Sequence, residues 1–207
     1  MKLKVCGMKY QDNIEQVAAL QPDYLGFIFY EKSARHFELE NIPEISKFIK
    51  KVGVFVNASL DFIQEKIEKH NLNAVQLHGE ESPEFCDALK NKNIEIIKVF
   101  SIKDEFNFEI LKPYENVVDY FLFDTKGKLP GGNGYTFNWD VLMDYPSNKP
   151  FFLSGGIGID EVEKIKAFKN SEASKYCYAL DVNSKFEIEP GLKNIELLKE
   201  FKNKLIK

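Results

Sequence analysis

The chain is poor in the residues that build metal sites and disulfide frameworks. It has three cysteines and three histidines. Cys6, Cys86 and Cys177 include no CxxC pair, and His36, His70 and His78 form no HxH or HExxH pattern. An odd, widely spaced cysteine set argues against a disulfide framework and against a zinc site. No metal and no cofactor are expected. No stretch approaches the ~20 apolar residues that a membrane helix needs, and the first seven residues lack the apolar core of a secretory signal. Together these point to a reducing, cytoplasmic setting with no membrane partner. Positive charge is not in excess either: the formal net charge is −4. That argues against a nucleic-acid partner while leaving room for a local basic pocket around a small anionic ligand.

What remains is an ordinary globular composition, 44% hydrophobic and 29% charged, with 18 phenylalanines. The length of 207 residues fits one domain spanning 1–207. Eight short apolar runs recur along it: 3–6, 24–29, 52–57, 74–77, 94–99, 120–124, 151–154 and 178–181. Each is rich in Val, Ile, Phe and Tyr, as strands buried on both faces are. Helix-start signals lie between them. Asn41-Ile42-Pro43-Glu44 offers a cap, and Ser59 precedes Phe62, Ile63 and Ile67. Ser82-Pro83-Glu84 places Pro at a first helical position, and Asp160-Glu161-Val162-Glu163 resembles a capping box before Val162, Ile165 and Phe168. A last apolar stripe runs from Ile195 to Ile206. The helices after strands five and six are weak. Eight alternations of strand and helix predict a parallel sheet closed as a single (β/α)8 TIM barrel, with a doubly wound open sheet as runner-up.

Polar residues on such strands are informative. Side chains alternate with period two, so Lys4 and Cys6 share one face of the first strand, and Gln76 and His78 share one face of the fourth. Asp124 closes the sixth strand and Asp181 the eighth. All lie at C-terminal strand ends, the rim where barrel active sites are built. The run Ser154-Gly155-Gly156-Ile157-Gly158 follows strand seven, and Asn183 and Ser184 follow strand eight. Loops after strands seven and eight commonly hold a phosphate. Bare backbone N–H groups and a helix start favour an anion there. The second run, Gly131-Gly132-Asn133-Gly134, lacks the Gly-Lys-Ser/Thr ending of a nucleotide loop and reads as a cover over the barrel mouth. Cys86 and Cys177 read as small core residues. Cys6, beside Lys4, is a candidate base or nucleophile whose thiolate Lys4 could favour. His70 ends a helix and is expected at the surface.

In order along the chain stand Lys4-Val5-Cys6-Gly7-Met8, Gly26-Phe27-Ile28-Phe29-Tyr30, Lys32-Ser33-Ala34-Arg35 and Val75-Gln76-Leu77-His78-Gly79-Glu80. Phe123-Asp124-Thr125, Leu153-Ser154-Gly155-Gly156 and Leu180-Asp181-Val182-Asn183-Ser184 follow. Over nearly its whole length the sequence closely resembles the phosphoribosylanthranilate isomerase family of tryptophan biosynthesis. The resemblance implies an Amadori rearrangement of N-(5-phosphoribosyl)anthranilate to 1-(2-carboxyphenylamino)-1-deoxyribulose 5-phosphate. By that resemblance Asp124 matches the general acid and Cys6 the general base. Arg35 matches the partner of the anthranilate carboxylate, and Gly155, Gly156, Asn183 and Ser184 match the phosphate site. Gln76, His78 and Asp181 fall among the substrate-binding residues. Asp181 either contacts the ribulose hydroxyls or orients Lys4. The chain departs from the family after Ser184, where Lys185 and Phe186 precede Glu187.

Two kinds of rival remain at this level. One is another phosphosugar barrel enzyme, an indole-glycerol-phosphate synthase, for which Lys98 is a lone hint, or a ribulose-phosphate epimerase. The other is a barrel that binds a phosphorylated ligand without chemistry. A small phosphorylated molecule is the expected partner, and the chain is a monomer or a homodimer.

Overall fold

The structure, a computed structural model, describes residues 1–90, 94–103, 105–125 and 136–206. Eight parallel strands close into a barrel in chain order. They are β1 (Lys2–Val5), β2 (Tyr24–Ile28), β3 (Lys50–Phe55), β4 (Ala74–Leu77), β5 (Glu95–Ile102), β6 (Tyr120–Thr125), β7 (Phe151–Leu153) and β8 (Cys177–Val182). The ring closes where β8 pairs with β1, and Asp181 lies level with Lys4. Among the described residues five α-helices pack outside: α1 (Gln11–Ala19), α2 (Leu60–His70), α3 (Pro83–Lys90), α4 (Val162–Lys169) and α5 (Ile195–Ile206). A small antiparallel hairpin, β9 (Glu187–Glu189) and β10 (Leu192–Lys193), stands between β8 and α5. The turn signal for it is Pro190-Gly191, with Gly191 at φ +91°.

The caps follow the local chemistry of the sequence. The Ser59 hydroxyl accepts from the Phe62 N–H and the Ser82 hydroxyl from the Phe85 N–H, both at 3.3 Å, satisfying donors that a helix start leaves free. The start of α4 differs from the expected Asp160 cap. The Glu161 carboxylate reaches back to the Gly158 N–H at 2.7 Å, so the turn begins at Gly158, inside the glycine run.

Three connections carry no α-helix among the described residues. The helix expected from Asn41 is absent, and 41–49 is turn and extended chain. Pro43 lacks an N–H and pushes Ile42 out of the helical region. The outer face of β2 is instead covered by Phe37, whose ring meets Phe27 edge-on at 5.1 Å and Phe29 at 5.8 Å. After β5 and β6, single 3-10 segments run over Phe108–Tyr114 and Trp139–Asp144. There too rings replace a helix: Phe123 packs against Phe106 at 5.9 Å, Tyr145 at 5.6 Å and Phe151 at 5.2 Å. These covers use part of the phenylalanine content. Each such pair adds about 0.5–1.5 kcal/mol beyond the area it buries.

His70 is a correction to the surface expectation. It is buried and stacked on Phe29, with ring centroids 5.1 Å apart. Burial, then the lysines Lys66, Lys69 and Lys51, push its pKa down to about 4, so it is neutral at physiological pH.

Inside the barrel the chain grades from apolar floor to polar rim. Tyr24, Val52, Ala74, Ile97, Leu122, Phe152 and Ala179 fill the lower interior. Tyr24 meets Phe152 edge-on at 5.4 Å. Lys50 and Glu95 pair at the bottom, where Tyr24 also donates to Glu95. Above the apolar layer sit Lys4, Gln76 and Asp181, all buried. A charged layer there costs several kcal/mol per ion in desolvation, which makes it a feature of the site above it rather than of the core.

Candidate active site

The C-terminal rim opens into a cleft of about 740 Å³, including its mouth. Ten of the residues singled out from the sequence line it: Cys6, Arg35, Gln76, His78, Asp124, Gly155, Gly156, Asp181, Asn183 and Ser184. The walls between them include Ile28, Tyr30, Val54 and Val56 on the β2–β3 side, an apolar face suited to a flat ring. The run 131–134, read as a cover, lies outside the described residues.

Lys4 is the hub beneath the rim. Its ammonium donates to Gln76 Oε1 at 2.7 Å and to Asp181 Oδ1 at 2.9 Å. Burial works against its charge, but Asp181 and Cys6 outweigh that and raise its pKa. Lys4 is therefore charged, and Asp181 orients it. The contact has a further effect. With Oε1 taken by the ammonium, Gln76 turns its Nε2 to His78 Nδ1, 3.2 Å away. That nitrogen must accept, so the His78 proton sits on Nε2. Nε2 faces Asp124 Oδ2 at 3.6 Å. Burial, then Lys4 and Lys98, lower the His78 pKa to about 4, so this is a neutral imidazole beside a carboxyl group and not an ion pair.

Asp124 is buried, and its Oδ1 accepts from the Thr125 N–H at 2.9 Å. Burial, then the charge of Asp181, raise its pKa to about 6. Cys6 departs from expectation. Lys4 does pull its pKa down, but burial is the larger effect, Asp181 adds to it, and the thiol ends above its ordinary value of 9.0. The neutral thiol is thus the resting form. Cys6 follows β1, and Asp124 lies on β6, three strands away around the ring through β8 and β7. A carboxyl group with a pKa raised to about 6 and a neutral buried thiol thus line one cleft.

Arg35 is already engaged. Its Nε donates to Glu187 Oε1 and Oε2 at 2.9 and 3.0 Å, and its Nη2 to Oε2 at 2.7 Å. Arg35 can present two bidentate edges. Glu187 takes the Nε–Nη2 edge, and the Nη1–Nη2 edge is the one available to a second carboxylate. Gly7, at φ +76°, makes room for this: a Cβ there would lie 2.7 Å from Asn183 Oδ1 and 2.9 Å from Arg35 Cδ.

At the other end, Gly155 has φ +89° and sits so close to Thr125 that a Cβ would meet its backbone N at 2.5 Å. Ser154 bridges toward Asp181 Oδ2 at 3.4 Å. Asn183 and Ser184, after the adjacent strand β8, line the same cleft as Gly155 and Gly156. The Gly158 N–H is taken by Glu161, and Gly158 does not line the cleft, whereas Gly155 and Gly156 do. Lys185 is exposed, with its stem against Gly158, and does not line the cleft.

Sequence reasoning missed Glu187 and Lys193, which hold Arg35 and Asn183 from behind. The Pro190-Gly191 turn was their signal, since it folds 187 and 193 onto neighbouring strands. Lys98, the hint of a synthase, points away from the cleft. It is buried against Glu81 at 3.1 Å and the Gly79 carbonyl at 2.7 Å, a structural role. Among the described residues no cluster of His, Cys, Asp and Glu has the arrangement of a metal site, and no helix is long and apolar enough to cross a membrane.

Comparison with known proteins gives the family and the fold. A family model described as N-(5'-phosphoribosyl)anthranilate isomerase matches residues 3–204. An N-(5'-phosphoribosyl)anthranilate isomerase of Parabacteroides distasonis is 45% identical over 206 residues, 97% of this chain and 91% of that one. Among solved structures, phosphoribosyl anthranilate isomerase from Thermus thermophilus superposes with a TM-score of 0.83 at 26% identity, covering 100% of this chain and 98% of that one. Another phosphoribosyl anthranilate isomerase was solved in complex with reduced 1-(o-carboxyphenylamino)-1-deoxyribulose 5-phosphate. It matches with a TM-score of 0.79 at 28% identity, over 100% and 98% of the two chains.

Proposed function

The chain belongs to the N-(5'-phosphoribosyl)anthranilate isomerase family of tryptophan biosynthesis, and from that membership we propose how its own residues carry out the reaction. The substrate is N-(5-phosphoribosyl)anthranilate, and the barrel acts as one catalytic unit. The phosphate lies against Gly155, Gly156, Asn183 and Ser184. The aromatic ring rests on the Ile28–Val54 side, with its carboxylate on the open edge of Arg35. This stretches the ribose between Asp124 and Cys6.

Asp124, protonated, gives its proton to the ring oxygen. The bond from that oxygen to C1 breaks, and the nitrogen lone pair forms a cationic Schiff base at C1. Cys6, as thiolate, takes the proton from C2. Those electrons form the C1–C2 double bond and neutralise the nitrogen, giving an enolamine that tautomerises to the 2-ketone. The His78 Nε2–H, beside Asp124, steadies the carboxylate that remains after proton transfer. The cationic intermediate next to Cys6 favours the thiolate that burial alone disfavours.

The observation that carries this reading is the pairing of a carboxyl group whose pKa is raised to about 6 with a buried cysteine on the facing side of one cleft. The test is loss of anthranilate-linked substrate, followed by fluorescence. Wild type should turn over, while Asp124→Asn and Cys6→Ser should bind ligand yet lose about 10²–10⁴-fold in rate. Turnover retained within tenfold by either variant removes that residue from its role. No turnover by intact protein rejects the activity itself.

A further inference from the structure

Lys193 takes no part in the chemistry above, yet its side chain is completely enclosed. It lies on β10, outside the barrel. Its backbone is clamped by the buried Asn13 of α1, which accepts from the Lys193 N–H at 2.7 Å and donates to its carbonyl at 2.9 Å. From this fixed point the ammonium donates to Asn183 Oδ1 at 2.6 Å and to Glu187 Oε1 at 2.7 Å. The same Glu187 receives the fork of Arg35 and, from its own hairpin, the Gly191 N–H at 3.0 Å. One ammonium therefore holds a cleft residue on the β8 loop directly, and a cleft residue on the β2 loop through a single carboxylate.

The charges add a second point. Arg35 and Glu187 alone would form a closed, neutral pair, with little attraction left for another anion. Burial and the neighbouring Arg35 lower the Lys193 pKa, and Glu187 opposes them; with Lys193 protonated and sharing the carboxylate, the group of three carries one net positive charge at the edge of the cleft. Burying a lysine is expensive, and breaking its pairing more so. A hairpin of two short strands does not require one.

We propose that Lys193 is a positioning residue for substrate recognition. By holding Glu187 and Asn183, it turns the open edge of Arg35 toward the substrate's aryl carboxylate and keeps that grip positively charged, in register with the phosphate loop. This rests on the reading of Arg35 as the carboxylate's partner.

The test measures selectivity. Two unreactive probes are titrated: the reduced aminodeoxyribulose phosphate bearing the 2-carboxyphenyl group, and its counterpart made from aniline. The ratio of their dissociation constants reports the carboxylate grip alone. Wild type should prefer the carboxylated probe by at least tenfold, and Arg35→Met should bring the ratio close to one. Lys193→Met should lower the ratio at least tenfold. Lys193→Gln, which keeps a donor and most of the packing but not the charge, is the variant to use if the methionine protein does not fold, with the same fall expected. Thermal unfolding is followed in parallel. A folded Lys193 variant that loses stability but keeps the wild-type ratio overturns the proposal and leaves Arg35 in place. A wild type with no preference overturns both readings.

Discussion

The proposed roles of Asp124 as acid and Cys6 as base make a prediction about pH that few other arrangements share. Asp124 must be protonated to act as acid, and its pKa is about 6. Cys6 must be ionised to act as base, and burial holds it above 9.0. The productive form is thus the less populated one: acid protonated above its pKa, base ionised below its own. The further the two pKa values lie apart, the smaller the fraction of molecules in that form. The sign follows directly. Below pH 6 Asp124 is already protonated, and activity rises tenfold per unit as thiolate accumulates. Between 6 and 9.0 the gain in thiolate cancels the loss of acid, and kcat/KM is flat. Above the Cys6 pKa it falls. In Asp124→Asn the acid no longer titrates, so the residual kcat/KM should keep climbing with unit slope through pH 6 and level only above 9.0. The assay is kcat/KM by fluorescence from pH 5 to 10, which reports the free enzyme. The substrate phosphate also ionises near 6, and the variant separates the two. A bend near 6 that persists in Asp124→Asn belongs to the substrate and refutes the assignment of Asp124 as the titrating acid.

Other perturbations test the surrounding parts. Arg35→Met should raise KM by roughly 10–100-fold with a smaller change in kcat, because it removes a charge-assisted bond worth about 1.5–3 kcal/mol; a fall in kcat alone would contradict its binding role. Lys4→Met strands Asp181 in the barrel and should cost about 3–5 kcal/mol in urea unfolding at pH 7. That loss should shrink as pH falls and Asp181, whose pKa burial has raised, takes up a proton. Gly155→Ala places a Cβ 2.1 Å from Thr125 Oγ1, so the loop must shift, and inhibition by inorganic phosphate should weaken at least tenfold; unchanged inhibition would move the phosphate elsewhere. Phe123→Ala should cost about 3–5 kcal/mol in stability, since its ring joins the aromatic cover where a helix is missing.

The barrel was legible because its signals are local. A strand buried on both faces must be apolar, so each polar residue at a strand end stands out, and the period of two by itself puts Lys4 with Cys6 and Gln76 with His78. The missing helix after β2 was not legible in the same way. Asn41 and Ile42 look like a start, and only the packing of Phe37 on Phe27 and Phe29 decides that no helix fits. His70 misled for the same reason: a histidine at a helix end is usually exposed, and its burial depends on Phe29, forty-one residues earlier in the chain.

The sign of the Cys6 shift shows where residue-by-residue reading stops. A lysine two positions away on the same face gives a correct attraction, but not its size against burial, nor the opposing charge that Asp181 brings from the far end of the chain. The site is a set of compensations among β1, β4, β6, β8 and the late hairpin. Lys4 neutralises Asp181 and fixes Gln76; Gln76 fixes the proton on His78; Asp181 raises Asp124. Altering one member therefore moves the protonation of the others. It follows that the Cys6 and Asp124 pKa values should shift together in Lys4→Met, with the thiol rising further and the carboxyl group rising above 6, because one cation serves both. The flat region of the pH profile would then begin later. An unchanged onset in a folded Lys4→Met protein would show that the two groups titrate independently, and the hub described here would not be one.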